Sequence, residues 1–313
     1  MKILFSTLLS LILFSTSAIA KIEIKKFKNK NIEVIKFQVP DRKLPGKDDV
    51  LAQIHFPKKT DGKVPLIIHQ HGSSRDGMKF KKWGGRTDEW GKRLVKEGLK
   101  RGYAVAVIDA FYNRKLKPTN KNKFPNAVHI AIKLAKIYSQ DNRIEKSQIF
   151  YTGFSYGSSQ VLKFQDSRIQ SQNPFRAGVA AEPGCNIVSN PARTNFATLM
   201  IKGEESHYYP IACKTYYKMI KKVGNKIEYA SIPKVNHFFS LNGKIVKGKA
   251  VNGCSKNILI RFSDGSFKFQ DGTPSNRRGR LKCFTEEAGG GEKNRAKLNH
   301  AINLSLNFLD KYK

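Results

Sequence analysis

Between residues 64 and 232, short uninterrupted apolar runs alternate with segments of helical periodicity, and this restricts the fold more than any other feature. Val64-Pro65-Leu66-Ile67-Ile68 opens the series; a run without polar interruption suits a strand buried on both faces. Trp90, Leu94, Val95 and Leu99 then recur at helical spacing, with Gly102 placed to end that helix. Residues 103–108 predict the next buried strand, and Pro125 opens a helix carrying Val128, Ile132, Ala135 and Ile137. A strand over 148–152 and a helix from Tyr156 follow. Residues 177–181, 196–201 and 227–232 read as further strands, with a helix around 211–220. A last helix near 293–311 carries Leu298, Ile302, Leu306 and Leu309 on one side. Such alternation predicts an α/β domain with a mostly parallel central sheet and helices on both faces. Ahead of it, residues 22–27, 32–39 and 50–56 predict strands suited to antiparallel pairing.

The first twenty residues predict a secretory signal peptide. Lys2 supplies the charge, residues 3–14 an apolar stretch, and Ser17-Ala18-Ile19-Ala20 the small residues of a cleavage site. The domain is then expected over 21–313, secreted or periplasmic, with no stable membrane anchor because no later apolar stretch reaches spanning length. In an oxidising compartment, Cys185, Cys213, Cys254 and Cys283 favour two disulfides over free thiols or a zinc site. Four cysteines allow three connectivities, of which the local pairs Cys185–Cys213 and Cys254–Cys283 are the expectation.

The formal charge of +34 raises the question of nucleic acid. The lysines, however, are spread over the whole chain without an aromatic stripe, a helix-turn-helix or a zinc-finger spacing, so no nucleic-acid partner is expected. A field of that sign steers anionic substrates.

Gly153-Phe154-Ser155-Tyr156-Gly157 lies between the strand ending at Thr152 and the helix after it. Glycines on both sides allow the sharp turn that lifts a serine hydroxyl above the sheet edge, beside amides at the helix N-terminus. A serine needs a base to become nucleophilic. Of the seven histidines, His237 alone comes after this elbow and directly after a strand. The loop His69-Gln70-His71-Gly72-Ser73-Ser74 follows the strand at 64–68 and offers a backbone donor from Gly72 or Ser73. With the N–H of Tyr156, that donor would make an oxyanion hole. His71 is expected to shape this loop rather than transfer protons.

Taken together, His71-Gly72, Asp109-Ala110-Phe111 before Arg114, the Ser155 elbow, Pro183-Gly184-Cys185, Gly203-Glu204 with Pro210 and Cys213, and Asn236-His237-Phe238 resemble the dienelactone hydrolase family. The resemblance covers roughly residues 50–240 and the last helix. It implies the α/β-hydrolase fold and serine hydrolase chemistry on a carboxylic ester or lactone through an acyl-enzyme, without metal or organic cofactor. The substrate would be a small molecule, and the charge is compatible with an anionic one.

The chain departs from the family where the third catalytic group belongs. The family pattern G-x-x-D-x-x-x-P here reads Gly203-Glu204-Glu205-Ser206-His207-Tyr208-Tyr209-Pro210, with Ser206 at the aspartate position. Two carboxylates are candidates to orient the histidine: Glu182 at the end of the strand at 177–181, and Glu205 one residue before Ser206. Asp109 and Arg114 are expected to form an ion pair that fixes their loop, the alternative being that Arg114 holds a substrate carboxylate.

Residues 243–285 fit no sheet-and-helix unit and predict an insertion before the last helix. Within it, apolar 258–262, the Asp264-Gly265 turn and 267–269 signal a β-hairpin flap that Cys254 and Cys283 flank. Two readings compete with ester hydrolysis. One is peptidase or acyltransferase chemistry on the same residues; the other is a non-catalytic binding protein on a hydrolase scaffold.

Overall fold

The computed structural model describes residues 22–27, 31–41, 43–58, 61–241, 245–284, 286–291 and 293–313. The expected signal peptide therefore lies outside the described residues.

Nine strands form the central sheet: β1 (Glu23–Phe27), β2 (Ile32–Gln38), β3 (Asp49–His55), β4 (Val64–Gln70), β5 (Ala104–Asp109), β6 (Ile144–Phe154), β7 (Ala177–Ala181), β8 (Ala197–Gly203) and β9 (Ile227–Ile232). Their spatial order is β1-β2-β3-β5-β4-β6-β7-β8-β9. β1 to β3 pair antiparallel, and β3 joins β5 antiparallel. The six strands from β5 to β9 run parallel. The order reverses around β4 and β5, so the sheet's carboxyl edge there opens a crevice suited to a ligand.

Five longer helices cover it: α1 (Glu89–Lys100), α2 (Ala127–Tyr138), α3 (Tyr156–Leu162), α4 (Pro210–Lys222) and α5 (Arg295–Asp310). Two core layers explain the uninterrupted apolar runs. Leu66 and Ile68 face a layer with Ile130 and Leu134 of α2, Val161 of α3 and Tyr216 of α4. Ile67, between them, faces Leu94 of α1 and Leu298 and Leu306 of α5. Every side chain of such a strand is covered, which costs a polar residue dearly and selects apolar ones at each position.

The expected flap exists, in a larger setting than a lone hairpin. Residues Leu259–Arg261 pair antiparallel with Phe267–Phe269 and parallel with Ile187–Ser189, a segment that follows β7. The base of the insertion is a two-stranded ribbon, Ile245–Val251 against Glu286–Gly291. A short helix, Arg277–Lys282, precedes Cys283. Cys185 is bonded to Cys213 and Cys254 to Cys283, with Cα separations of 5.0 and 4.6 Å. The first bridge ties the loop after β7 to α4, and the second closes the flap. No helix among the described residues is long and apolar enough to cross a membrane.

Candidate active site

The site is built at the carboxyl edge of the sheet, from the ends of β4, β6, β7, β8 and β9. At the end of β6 the chain turns into α3 through Ser155, whose φ is +51°. A non-glycine residue rarely adopts such a backbone, and holding it there costs on the order of 1–3 kcal/mol. The surroundings enforce it. The Ser155 N–H donates to Ala181 O at 2.9 Å. A Cβ on Gly153 would lie 2.2 Å from the Gly157 carbonyl carbon, and one on Gly157 would lie 2.1 Å from Gln70 O. Both elbow glycines are therefore required by contact, because strand, turn and helix pass closer than any side chain permits.

His237 reaches this serine from the loop after β9. Its Nε2 is 2.9 Å from Ser155 Oγ and its Nδ1 is 3.0 Å from Glu182 Oε2. Aromatic walls hold the imidazole: its ring centre lies 4.7 Å from that of Tyr208 and 5.5 Å from that of Phe154. Burial lowers its pKa; Glu182 opposes the shift without cancelling it, and Lys202 and Lys121 add to it.

Glu182 follows β7 and is fully buried. Besides His237, its Oε2 accepts from Lys202 Nζ and Ser206 Oγ, each at 2.9 Å. Its Oε1 accepts the N–H of Gly203. Burial alone would raise the carboxyl, but the Lys202 ammonium, the His237 hydrogen bond and the Gly203 amide hold it down to about 2. The other candidate, Glu205, is exposed to solvent, and no hydrogen bond joins its carboxylate to His237.

The loop after β4 is fixed by buried polar pairs. Asp88, the N-cap of α1, accepts from Gly91 N–H at 2.8 Å and Gly72 N–H at 2.5 Å, and pairs with His69 Nε2 at 3.0 Å. The Gly72 amide is thus spent on a buried carboxylate, which corrects the expectation that it serves an oxyanion. Among the described residues the N–H groups of Ser73 and Tyr156 have no hydrogen-bond partner. His71 is fully buried, its Nε2 accepting from Ala110 N–H at 3.1 Å. Burial pushes its pKa down to about 4, so it stays neutral and braces the loop against the end of β5.

The expected Asp109–Arg114 pair is not formed. Asp109 instead accepts from Arg75 Nη1 at 2.8 Å and from the amides of Arg86 and Phe111 at 2.8 and 3.0 Å. Arg114 turns back beneath its own loop, donating to Ala110 O at 2.9 Å and Asp49 O at 3.0 Å, with Nε 3.5 Å from Asp41 Oδ2. Buried and engaged in this way, it does not face the cleft. Three amide and guanidinium donors already satisfy Asp109, so its ionic partner comes from the loop after β4 and not from five residues downstream.

Lys202 is the site residue that the sequence reading missed. Ala181 and Ile201 are register partners in β7 and β8, so the next residues along each strand, Glu182 and Lys202, stand side by side. An acid and a base each closing one of two neighbouring strands is the signal that points to the pair. Ser155, His237 and Glu182 open onto a cleft of about 250 Å³ also lined by Ser73, Tyr208 and Phe284. Phe284 brings the flap to its mouth.

No protein-family model matches the chain, and no curated protein is similar to it in sequence. Solved structures do match it in three dimensions. One assigned as a dienelactone hydrolase, from Klebsiella pneumoniae, superposes with a TM-score of 0.50 at 16% identity, covering 66% of this chain and 88% of its own. The chain has the α/β-hydrolase fold. An esterase from Pyrobaculum calidifontis (TM-score 0.48, 15% identity, 66% and 77% of the two chains) is also similar to it. So is a Thermogutta terrifontis esterase with butyrate bound (TM-score 0.48, 12% identity, 62% and 82%). In an α/β-hydrolase a serine at this strand-to-helix turn stands where the carboxyl ends of the parallel strands leave room for a substrate.

Proposed function

We propose that the protein is a serine hydrolase that cleaves a carboxylic ester or lactone through an acyl-enzyme. The observation that carries this reading is the continuous chain from Ser155 Oγ to His237 Nε2 at 2.9 Å and from His237 Nδ1 to Glu182 Oε2 at 3.0 Å. Nucleophile, base and orienting carboxylate are each within hydrogen-bond reach of the next, as proton transfer from the hydroxyl requires.

Ser155 Oγ attacks the carbonyl carbon while its proton passes to His237 Nε2. The amides of Tyr156 and Ser73 receive the resulting oxyanion, and Glu182 stabilises the imidazolium. The carbonyl carbon–oxygen bond to the alcohol then breaks, the departing oxygen taking the proton from Nε2. Water next gives a proton to Nε2 and bonds to the acyl carbon. Release of the carboxylic acid returns the proton to Ser155 Oγ. In this reading Glu182 is the triad acid and Glu205 has no part.

The substrate is a small ester, consistent with a cleft of about 250 Å³. The two disulfides support a working place outside the cytoplasm, in the periplasm or beyond the cell. The test is a Ser155→Ala variant assayed on short p-nitrophenyl esters. Turnover at the wild-type level contradicts the assignment.

A further inference from the structure

Lys202 is a lysine with no exposed surface, set beside the carboxylate that orients His237. A buried ammonium must place all three of its protons. Lys202 Nζ does so, donating to Glu182 Oε2 at 2.9 Å, Ser206 Oγ at 2.9 Å and Pro183 O at 3.1 Å. The His237 Nδ1 contact falls on the same Oε2 atom. One carboxylate oxygen is therefore shared by two groups that each carry a positive charge when protonated. Because both touch one atom at 2.9 and 3.0 Å, the ammonium and the imidazole lie within about 6 Å of each other, and both side chains are buried.

We propose that Lys202 is a positioning residue that sets the basicity of His237: it clamps Glu182 in its ionised form while offsetting part of that carboxylate's charge, so that the imidazole stays neutral and ready to accept the Ser155 proton in acidic medium. A carboxylate alone beside a histidine favours imidazolium; an ammonium on the same oxygen disfavours it. The other groups facing the imidazole do not supply the same balance. Lys121 acts on it from the cleft wall in the same sense as Lys202. His207, with its ring centre 5.4 Å away, is itself kept neutral, its pKa lowered to about 4 chiefly by burial. The Tyr208 ring lies 4.7 Å from the imidazole, tilted by 48°, and its face lies 5.7 Å from Lys202 Nζ. Ser206 adds no charge. It accepts from Lys202 and donates to Glu182, closing a three-membered hydrogen-bond ring where an aspartate would bring a second negative charge.

The proposal rests on the serine-hydrolase reading, and its test separates the two. The pH dependence of kcat/KM on a short p-nitrophenyl ester is measured for the wild type and for Lys202→Met, which keeps the length of the side chain and removes the charge. The acidic limb is expected to move to higher pH by roughly one unit in the variant. A limb that stays in place, or moves to lower pH, overturns the proposal even if kcat falls, because a merely structural lysine lowers activity without displacing the limb. The His237 imidazole is also titrated by NMR, which requires no turnover, in the intact wild type and in Lys202→Met or, should that variant not fold, in the neutral and polar Lys202→Gln. A midpoint that rises by roughly one unit when the Lys202 charge is removed supports the proposal, and one that stays in place or falls overturns it. Loss of the hydrolase reading, seen as turnover that survives Ser155→Ala, leaves this titration and its outcome for Lys202 unaffected.

Discussion

The hydroxyl of Ser206 donates to Glu182 Oε2 over 2.9 Å. The serine found where the resembled family carries aspartate therefore touches the carboxylate that faces His237, although the two come from the ends of different strands. The carboxylate beside the imidazole thus follows β7, and the hydroxyl that hydrogen-bonds to it follows β8.

This relationship separates the two acidic candidates. Glu182→Gln is expected to lower kcat by about 10⁴-fold, since the amide can no longer stabilise an imidazolium. Glu205→Gln should leave kcat within about twofold, as its side chain is exposed to solvent. Adding Ser206→Asp to the Glu182→Gln variant should return part of the lost activity, because a carboxylate would again stand beside the imidazole. Steady-state assays on one ester compare all three, and a larger loss in Glu205→Gln than in Glu182→Gln contradicts the assignment.

The elbow predicts a cost in stability. In Gly157→Ala the new Cβ would meet Gln70 O at 2.1 Å, a backbone atom that cannot rotate away. The variant should lose about 3 kcal/mol or more, read from the urea midpoint. A loss below about 1 kcal/mol would mean that the turn is looser than the contacts imply.

Asp88 holds the loop after β4 in place by direct hydrogen bonds. Asp88→Ala leaves the buried Gly72 and Gly91 amides and His69 Nε2 without their acceptor. A loss of about 3 kcal/mol in stability is expected, with kcat falling more than about tenfold as the Ser73 amide shifts. Retention of full kcat in folded Asp88→Ala would show that the loop holds its shape unaided.

Glu182 also links stability to pH. Its folded carboxyl titrates at about 2, held below its ordinary 4.5 by Lys202, His237 and Gly203 against the opposing effect of burial. Because the folded value is the lower one, the stabilisation it brings is complete above 4.5 and is lost as pH falls through 2. Thermal melts between pH 5 and 3 should therefore fall more steeply in the wild type than in Glu182→Gln. Parallel slopes would contradict the depressed value.

Much of this architecture is legible in the sequence. The strands at 177–181 and 227–232 are read to the residue, the first because a strand covered on both faces leaves an apolar run with sharp polar ends, the second, at the sheet's edge, from its apolar and polar alternation. The flap is readable only at its hairpin. The Ile245–Val251 and Glu286–Gly291 ribbon escapes because a strand reading Glu-Glu-Ala-Gly-Gly-Gly has no apolar alternation, and its pairing spans a long insertion. Ser155 and His237 emerge from chain order, since the fold dictates which kind of group stands after each strand. Lys202 does not, because a lysine after an apolar run reads as a solvent-facing strand end until its neighbour across the sheet is known. The Asp109–Arg114 pairing fails for the same reason: proximity in sequence carries no information about Arg75, which approaches from another loop.

The most direct test of the account is the fate of Ser155 with a fluorophosphonate. The intact protein is treated with the reagent, and the modified peptide is located by mass spectrometry. One adduct is expected, on Ser155, that is absent from Ser155→Ala and forms far more slowly in His237→Ala. A protein that turns over esters yet carries no adduct on Ser155 would contradict it.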